Sequence, residues 1–263
     1  QDVAKIKDEH SPGGRHYYRP EREAEILRRI KEQNPGPLDD EEAARLCREI
    51  MSACLALEKH LSVGYLGPEG TFTQAATIKH FGHAAICVPQ KTIYAVFSQV
   101  ESGHCNYGVV PVENSTEGMV SHTLDNFMDS SLKISGEVEL GIGLHLLAAP
   151  GSSEESITRI CAHQQALAQC RNWLDRHWPR VEREAVSSNG EAARLAAEIP
   201  GVAAVAGDMA AELYRLEKLA THIEDYADNT TRFLVIGREH VPPSGRDKTS
   251  IIVSSRNKPG ALF

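Results

Sequence analysis

From Ser62 onward, short apolar runs alternate with stretches whose apolar residues recur at helical spacing. SVGYL (62–66) precedes FTQAATIKHF (72–81), AAICV (84–88) precedes IYAVFSQVES (93–102), and YGVVPV (107–112) runs into a polar loop. Further strands are predicted at GLHLLAA (143–149), RICAH (159–163), VAAVAG (202–207) and FLVIG (233–237). Helices are predicted at QALAQCRNWLDRHW (165–178), GEAARLAAEI (190–199) and MAAELYRLEKL (209–219). Continuous apolar strands between helices indicate an α/β architecture with largely buried sheets. Glycines and polar residues cluster just after the strands, where such folds bind ligands.

The first 61 residues have a different texture and carry no strand signal. Glu21 to Lys31 is rich in helix formers and starts after Pro20, which suits a first turn. Asn34-Pro35-Gly36-Pro37 ends that helix, and Asp39 or Asp40 caps a second. Leu46, Ile50, Ala53 and Leu57 fall on one face of it. Two helices alone bury too little, so a further helix or a partner chain is implied. Residues 241–247 (VPPSGRD) read as a linker, after which TSIIVSS opens another strand. Both ends read as truncated.

Composition narrows the classes. The 263 residues are 41% hydrophobic and 24% charged, as in an ordinary globular protein, and the net charge of -8 argues against a nucleic-acid binder. No apolar run reaches the roughly 18 residues of a membrane span, and QDVAKIKDEH has no signal-peptide core. The six cysteines form no C-x-x-C pair, which suits free thiols in a reducing cytoplasm. The histidines at 80, 83, 104, 122, 177 and 222 lack metal-ligand spacing, so neither a metal nor a cofactor is expected.

Four loops could carry chemistry. Gly67-Pro68-Glu69-Gly70-Thr71-Phe72-Thr73 lies between a strand and a helix. Its glycines permit close backbone approach, and the free N–H groups of the helix start favour an anion. No Lys follows the second Gly, so it is not a nucleotide-phosphate loop of the Walker type, and Thr71 could simply be an N-cap. Pro111 to Gly118 (PVENSTEG) sets donors and acceptors at a strand's end, or is a polar surface loop. In HQQALAQC (163–170), Gln165 and Gln169 share a helix face. In DNTTRF (228–233), Arg232 could hold a carboxylate and a Thr hydroxyl could donate to a leaving oxygen, although Thr, Thr and Phe also suit a strand start.

Together, GPEGTFTQAA, PVENSTEG, HQQALAQC, SSNGEAA and NTTRF resemble the prephenate dehydratase family across roughly residues 62–238. YRPERE and SACLALE resemble the end of the helical chorismate mutase domain fused to it in many bacteria. TSIIVSSRNKPGAL is similar to the opening of a phenylalanine-binding ACT domain. The resemblance implies an all-α mutase segment at 1–61 and a two-lobed α/β dehydratase domain with a periplasmic-binding-protein-like cleft at 62–240. One lobe would span about 62–140 plus 214–240, the other 141–213. The start of an α+β ACT domain would occupy 247–263.

The resemblance also implies site residues. Thr231 would help the ring hydroxyl of prephenate depart, with Glu113, Asn114 and Gln169 around the substrate. Thr71, Ser187, Ser188 and Arg232 would line the cleft, and Arg232 could instead lock a lobe. The family often has Ser where Ala162 stands, which puts one substrate hydrogen bond in doubt. For the mutase, Arg22 would hold a carboxylate, Glu23 the substrate hydroxyl, and Lys7 and Glu58 the ether oxygen. Many relatives have Gln at the position of Glu58. A Glu must be protonated to donate there, so mutase activity should fall as pH rises. The long stretch between Lys7 and Arg22 puts Arg19 where an Asp is sometimes seen, and the arginines of the family's first helix are not in this sequence. Gly260, Ala261 and Leu262 would contribute to the effector site. A cytoplasmic homodimer acting on prephenate and chorismate, with phenylalanine as effector, is implied. The competing expectations are an arogenate dehydratase, a non-catalytic two-lobed receptor, and an inactive phenylalanine sensor.

Overall fold

The computed structural model describes residues 18–251. Lys7, Gly260, Ala261, Leu262 and nearly all of the expected ACT segment lie outside the described residues.

Two helices open the described chain. Helix α1 (Pro20–Gln33) carries Glu21 and Glu23 in its first turn, and α2 (Asp40–Glu58) is capped by Asp39, whose Oδ1 accepts from Glu42 N at 2.9 Å. Tyr18 anchors the pair to the rest of the molecule. Its ring is buried, with its centroid 5.4 Å from that of Phe81 and 5.3 Å from that of Tyr107. The apolar stripe of α2 is left outward: Ile50 is 63% and Leu57 78% exposed, and Leu46 and Ala53 are exposed too.

The first sheet contains β1 (Ser62–Leu66), β2 (Ile86–Gln90), β3 (Tyr107–Asn114), β4 (Gly118–Met119), β5 (Lys133–Gly141) and a strand from the far end of the chain, Thr230–Gly237. Strand β1 runs parallel to β2 and β3, whereas the returning strand is antiparallel to both β3 and β5. Helices α3 (Phe72–Phe81), α4 (Ile93–Glu101) and α5 (Ser121–Asp129) connect these strands. One face of the sheet buries Val63, Tyr65, Val109, Phe233 and Val235 against Ala76 and Phe81 of α3. The other buries Val110, Val112, Leu234 and Ile236 against Val96, Phe97 and Val100 of α4.

The second sheet is built from β6 (His145–Ala148), β7 (Arg159–His163), β8 (Glu182–Val186), β9 (Val202–Ala206) and β10 (Glu217–Ala220), in the order β10-β6-β9-β7-β8. With the strand numbered β11 (Thr230–Gly237), the first sheet reads β2-β1-β3-β11-β5, with β4 beside β3. Helices α6 (Gln164–Gln169), α7 (Arg171–His177), α8 (Asn189–Glu198) and α9 (Asp208–Tyr214) belong to the second sheet's half of the chain. Small residues let α8 lie close to the sheet: Ala192, Ala193 and Ala196 are buried with Ala204 and Ala206. Phe72 and Leu140 pack against the cores of both sheets, so the two lobes share an apolar seam.

Several elements depart from the sequence pattern. The helix expected over 165–178 is broken at Cys170 (φ -108, ψ 13). The helix expected over 209–219 stops at Tyr214, because Arg215 is left-handed (φ 53, ψ 43), and Glu217–Ala220 then pair with β6. Return to the first sheet therefore comes after Ala220, later than 214. Strands β5 and β8 and helix α5 gave no clear pattern: β5 has Gly136 in its middle, and β8 (EREAV) is a charged edge strand. The 241–247 segment is irregular and touches α1, where Arg28 Nη1 donates to Ser244 O at 3.2 Å.

Candidate active site

Topology brings the suspect loops to one place. Strand β11 begins where its antiparallel neighbour β3 ends, and β1 is parallel to β3, so Gly67–Gly70, Ser115–Gly118 and Asp228–Thr230 share one edge of the first sheet. Strands β7, β8 and β9 are mutually parallel, so Gln164, Ser187 and Gly207 follow three strand ends at one edge of the second.

The pairing of β3 with β11 decides which side chains share a face. Thr231 pairs with Asn114 and Arg232 with Glu113, but Phe233 pairs with Pro111, leaving Val112 as an extra residue. Such a bulge breaks the period-2 alternation of β3 at that point. Val110 and Val112 face the α4 side, and without the bulge Asn114 would follow them. With it, Asn114 joins Thr231 on the α3 side.

On that side lies a compact uncharged network. Asn114 Nδ2 donates to Thr231 Oγ1 at 2.8 Å and to Asn229 Oδ1 at 2.9 Å. Asn114 Oδ1 accepts from Thr116 N, Thr116 Oγ1 and Glu117 N at 3.0, 2.6 and 3.2 Å. Those backbone donors fix the direction of the Asn114 amide: its oxygen faces the 116–117 turn and its nitrogen faces β11. Thr231 Oγ1 therefore accepts from Asn114 and keeps its own proton for another partner. Both Asn114 and Thr231 are buried. Gln169 reaches the same network from the second lobe, its Nε2 donating to Thr116 Oγ1 at 3.3 Å. Ser115 fastens the start of β11, donating to Asp228 O and accepting from Thr230 N.

Glu113 and Arg232 occupy the opposite face. Arg232 donates to Glu113 Oε2 at 2.6 Å and to Glu137 Oε2 at 3.1 Å, and Lys248 also pairs with Glu137. Burial alone would push the Glu137 carboxyl up, but Lys248 and Arg232 together hold it below the usual carboxylate range. Arg232 thus pairs with carboxylates of the two neighbouring strands, β3 and β5. The Glu113 carboxylate is turned with it, away from the Asn114–Thr231 side.

The remaining cleft residues do local work. Gly67 N donates to Gln90 O and Gly70 N to Gln74 Oε1, so these two N–H groups are used within the fold. Thr71 caps α3, and its hydroxyl donates to Pro68 O at 3.0 Å. Ser188 caps α8 through Glu191 N at 3.0 Å, and Ser187 is exposed beside it. Asn189 Oδ1 accepts from His163 N, tying two loops of the second lobe. Ala162 is fully buried in that lobe's core. The lobes meet where an added Cβ on Gly190 would stand 2.2 Å from Glu69 O, so only glycine permits this approach. Sequence reading missed Thr116 and Asn229; both stand inside the motifs quoted above, but nothing in the string distinguishes them from turn formers.

Residues 63–241 match the family model for prephenate dehydratase, and residues 1–59 that for chorismate mutase type II. The chain belongs to the prephenate dehydratase family. It is 60% identical, over its whole length and 72% of the relative's, to the bifunctional chorismate mutase/prephenate dehydratase of Pseudomonas aeruginosa. Its fold is similar to the prephenate dehydratase of Arthrobacter aurescens in complex with L-Phe, with a TM-score of 0.69 and 33% identity over 77% of this chain and 69% of that one. It is also similar, at 25% identity and a TM-score of 0.63, to GqqA, described as a novel type of quorum quenching acylases, over 76% of this chain and 73% of that one. Membership in the dehydratase family thus rests on sequence as well as fold, since one fold hosts different chemistries.

In the mutase-like segment, Arg22 lies in a groove of about 610 Å³ along α1, with Arg19 and Arg29 among its walls. Glu23 faces Arg48 of α2, with Oε1 3.5 Å from Nε. Burial raises the Glu23 carboxyl despite that arginine. Glu58 is the last residue of α2 and is exposed. Arg22 and Glu23 are therefore turned to different surroundings, one open and one enclosed. Among the described residues, no helix is long and apolar enough to cross a membrane, and no cluster of three or more His, Cys, Asp or Glu side chains could hold a metal ion.

Proposed function

We propose that the chain converts prephenate to phenylpyruvate, using the face of the first sheet that carries Asn114 and Thr231, with Gln169 closing from the second lobe. Prephenate is a dianion with a ring hydroxyl opposite a ring carboxylate. The C–O bond and the bond to that carboxylate break, the latter's electron pair enters the ring, and hydroxide leaves with a proton as water. One dianion and one proton thus give a phenylpyruvate anion, water and carbon dioxide. Aromatisation supplies the driving force, so the protein needs to position the substrate and ease hydroxide away.

The observation that carries this reading is the 2.8 Å bond from Asn114 Nδ2 to Thr231 Oγ1. It orients the hydroxyl as a donor toward the substrate. A Thr hydroxyl is a very weak acid, so it donates a hydrogen bond with partial proton transfer. Being uncharged, this face neither repels the dianion nor pairs too tightly with the departing hydroxide. Incubation with prephenate near neutral pH, with phenylpyruvate as readout, tests it. Thr231→Ala should fold normally and lose most turnover, and near-normal activity in that variant would refute the assignment.

The N-terminal segment is proposed to supply prephenate by rearranging chorismate, with Arg22, Glu23 and Glu58 acting together with Lys7. The exposed stripe Leu46, Ile50, Ala53 and Leu57 supports a homodimer in which a partner covers it. Phenylalanine is the proposed effector, through residues that include Gly260, Ala261 and Leu262, and the cytoplasm is the proposed compartment. Arogenate is the competing substrate, and side-by-side turnover decides between them. The attached mutase favours prephenate, its own product.

A further inference from the structure

The geometry points to Asn229 as a second hydrogen-bond donor to the departing ring oxygen, beside Thr231; the assignment rests on the dehydratase reading above. Asn229 is only 3% exposed, yet its Nδ2 has no hydrogen-bond partner among the described residues. A buried amide N–H left unpaired is costly, and a fold tolerates that cost where a ligand supplies the acceptor. Its orientation follows from its neighbours. Backbone N–H groups of Thr116 and Glu117 hold Asn114 Oδ1, so Asn114 can offer only its nitrogen to β11. That nitrogen meets Asn229 Oδ1 at 2.9 Å, and reversing the Asn229 amide would set two NH2 groups against each other. The free Nδ2 is therefore required by the network.

Asn114 Nδ2 serves two acceptors at once, Thr231 Oγ1 and Asn229 Oδ1, which places those two side chains next to each other. Each keeps hydrogen to give: the hydroxyl of Thr231 its single proton, and the Nδ2 of Asn229 both of its N–H groups. Backbone pairing keeps them in register, because Asn229 O accepts from Ile142 N at 2.8 Å while Thr231 is held between β3 and β5. Two neutral donors aimed at one oxygen stabilise charge that develops on it as the C–O bond breaks. Neither titrates near neutral pH, so the pair stays competent whatever the substrate's charge does.

The test measures prephenate turnover by the full chain and by Asn229→Asp, Asn229→Ser and Thr231→Ala, with melting curves for each. Asn229→Asp keeps the acceptor toward Asn114 but replaces the donor by a carboxylate. Its kcat at pH 8 should fall about 100-fold, with a smaller change in KM, as for the loss of one preorganised donor. Relative to the wild-type enzyme at each pH, its kcat should then recover as pH falls, because the protonated carboxyl donates again. A residue that merely supports the fold would not produce that recovery. Where the carboxyl variant melts below the assay temperature, Asn229→Ser decides: a loss of about 10-fold supports the assignment. Undiminished kcat in the folded Asn229 variants, with wild-type turnover normal and Thr231→Ala inactive, overturns it while leaving the dehydratase reading standing. Wild-type protein that turns over no prephenate, or an active Thr231→Ala, sinks the reading and this assignment with it.

Discussion

The two faces of the β3–β11 pair are made from neighbouring residues of the same two strands, and they differ in kind. On one face Asn114, Thr231 and Asn229 form a buried network without a formal charge. On the other, Arg232, Glu113, Glu137 and Lys248 form a partly exposed ion-pair cluster. Alternation along a strand separates them, and a single extra residue, Val112, determines which side chain goes where. Chemistry on an anionic substrate is assigned to the neutral face, and charge is spent on fastening strands. A motif of adjacent polar residues such as Glu113-Asn114 or Thr231-Arg232 therefore mixes two jobs.

The sharpest way to break the comparison is Thr231→Ala. On the neutral face this removes one hydroxyl that donates outward, so kcat should drop by about 10²–10⁴ while the melting temperature barely moves. Asn114 would still hold Asn229, which limits the structural loss. Steady-state kinetics alongside thermal melts check both halves. A large loss of stability with little loss of turnover would invert the assignment of the two faces.

How much of this was legible in the sequence varies by element. Strands such as SVGYL and VAAVA read correctly because each is an apolar run with a turn on either side. The stripe Leu46, Ile50, Ala53 and Leu57 was legible as one face, but a helical period says nothing about what covers it. The bulge at Val112 was not legible, since no residue type encodes it, and it decides that Asn114 rather than Glu113 shares a face with Thr231. Gln169 meeting Thr116 joins residues 53 apart through two sheets, a contact that no local pattern carries. Thr71 and Ser188 were read as possible substrate contacts, and both cap helices, as their residue types prefer. Asn229 escaped notice because an Asn before a strand resembles a turn former, and only the orphaned donor singles it out.

Gly190→Ala probes whether the neutral face needs the second lobe. The added methyl would press on Glu69 O, a backbone atom that cannot rotate away. Overpacking of this sort costs about 1–3 kcal/mol, and relief requires the lobes to separate. The expected result is a raised KM together with a lowered kcat, because Gln169 would withdraw from Thr116. Unchanged kinetics would mean that the lobe contact is dispensable to the site.

His80 sits on α3, behind the neutral face, with Tyr18 Oη 3.3 Å from its Nε2. Burial, with help from Arg48, lowers it from 6.5 to about 4. The unfolded chain takes up this proton near pH 6.5 and the folded one only near pH 4. Stability is therefore full above about pH 6.5 and falls as pH drops toward 4, by on the order of 3 kcal/mol. Denaturant melts across that window should show the slope in the wild type and a shallower one in His80→Gln. An equal slope in both would move the acid sensitivity to other groups.

Arg232→Met carries the smallest expected effect, and it tests the charged face directly. The substitution leaves Glu113 and Glu137 without their shared guanidinium, although Lys248 still reaches Glu137. Because these side chains are roughly one-quarter to two-fifths exposed, water replaces much of the lost interaction, and the cost should be about 1 kcal/mol. High salt should shrink the difference, since it screens the pair already in the wild type. Turnover should stay within about 3-fold, as for a residue that holds a strand rather than a substrate. If Arg232 instead gripped a substrate carboxylate, KM would rise by about 10-fold or more, at the strength of a charge-assisted bond, with stability unchanged. That pattern would show that the strand pair turns both faces to the ligand, and the division between a neutral catalytic face and a charged structural one would have to be abandoned.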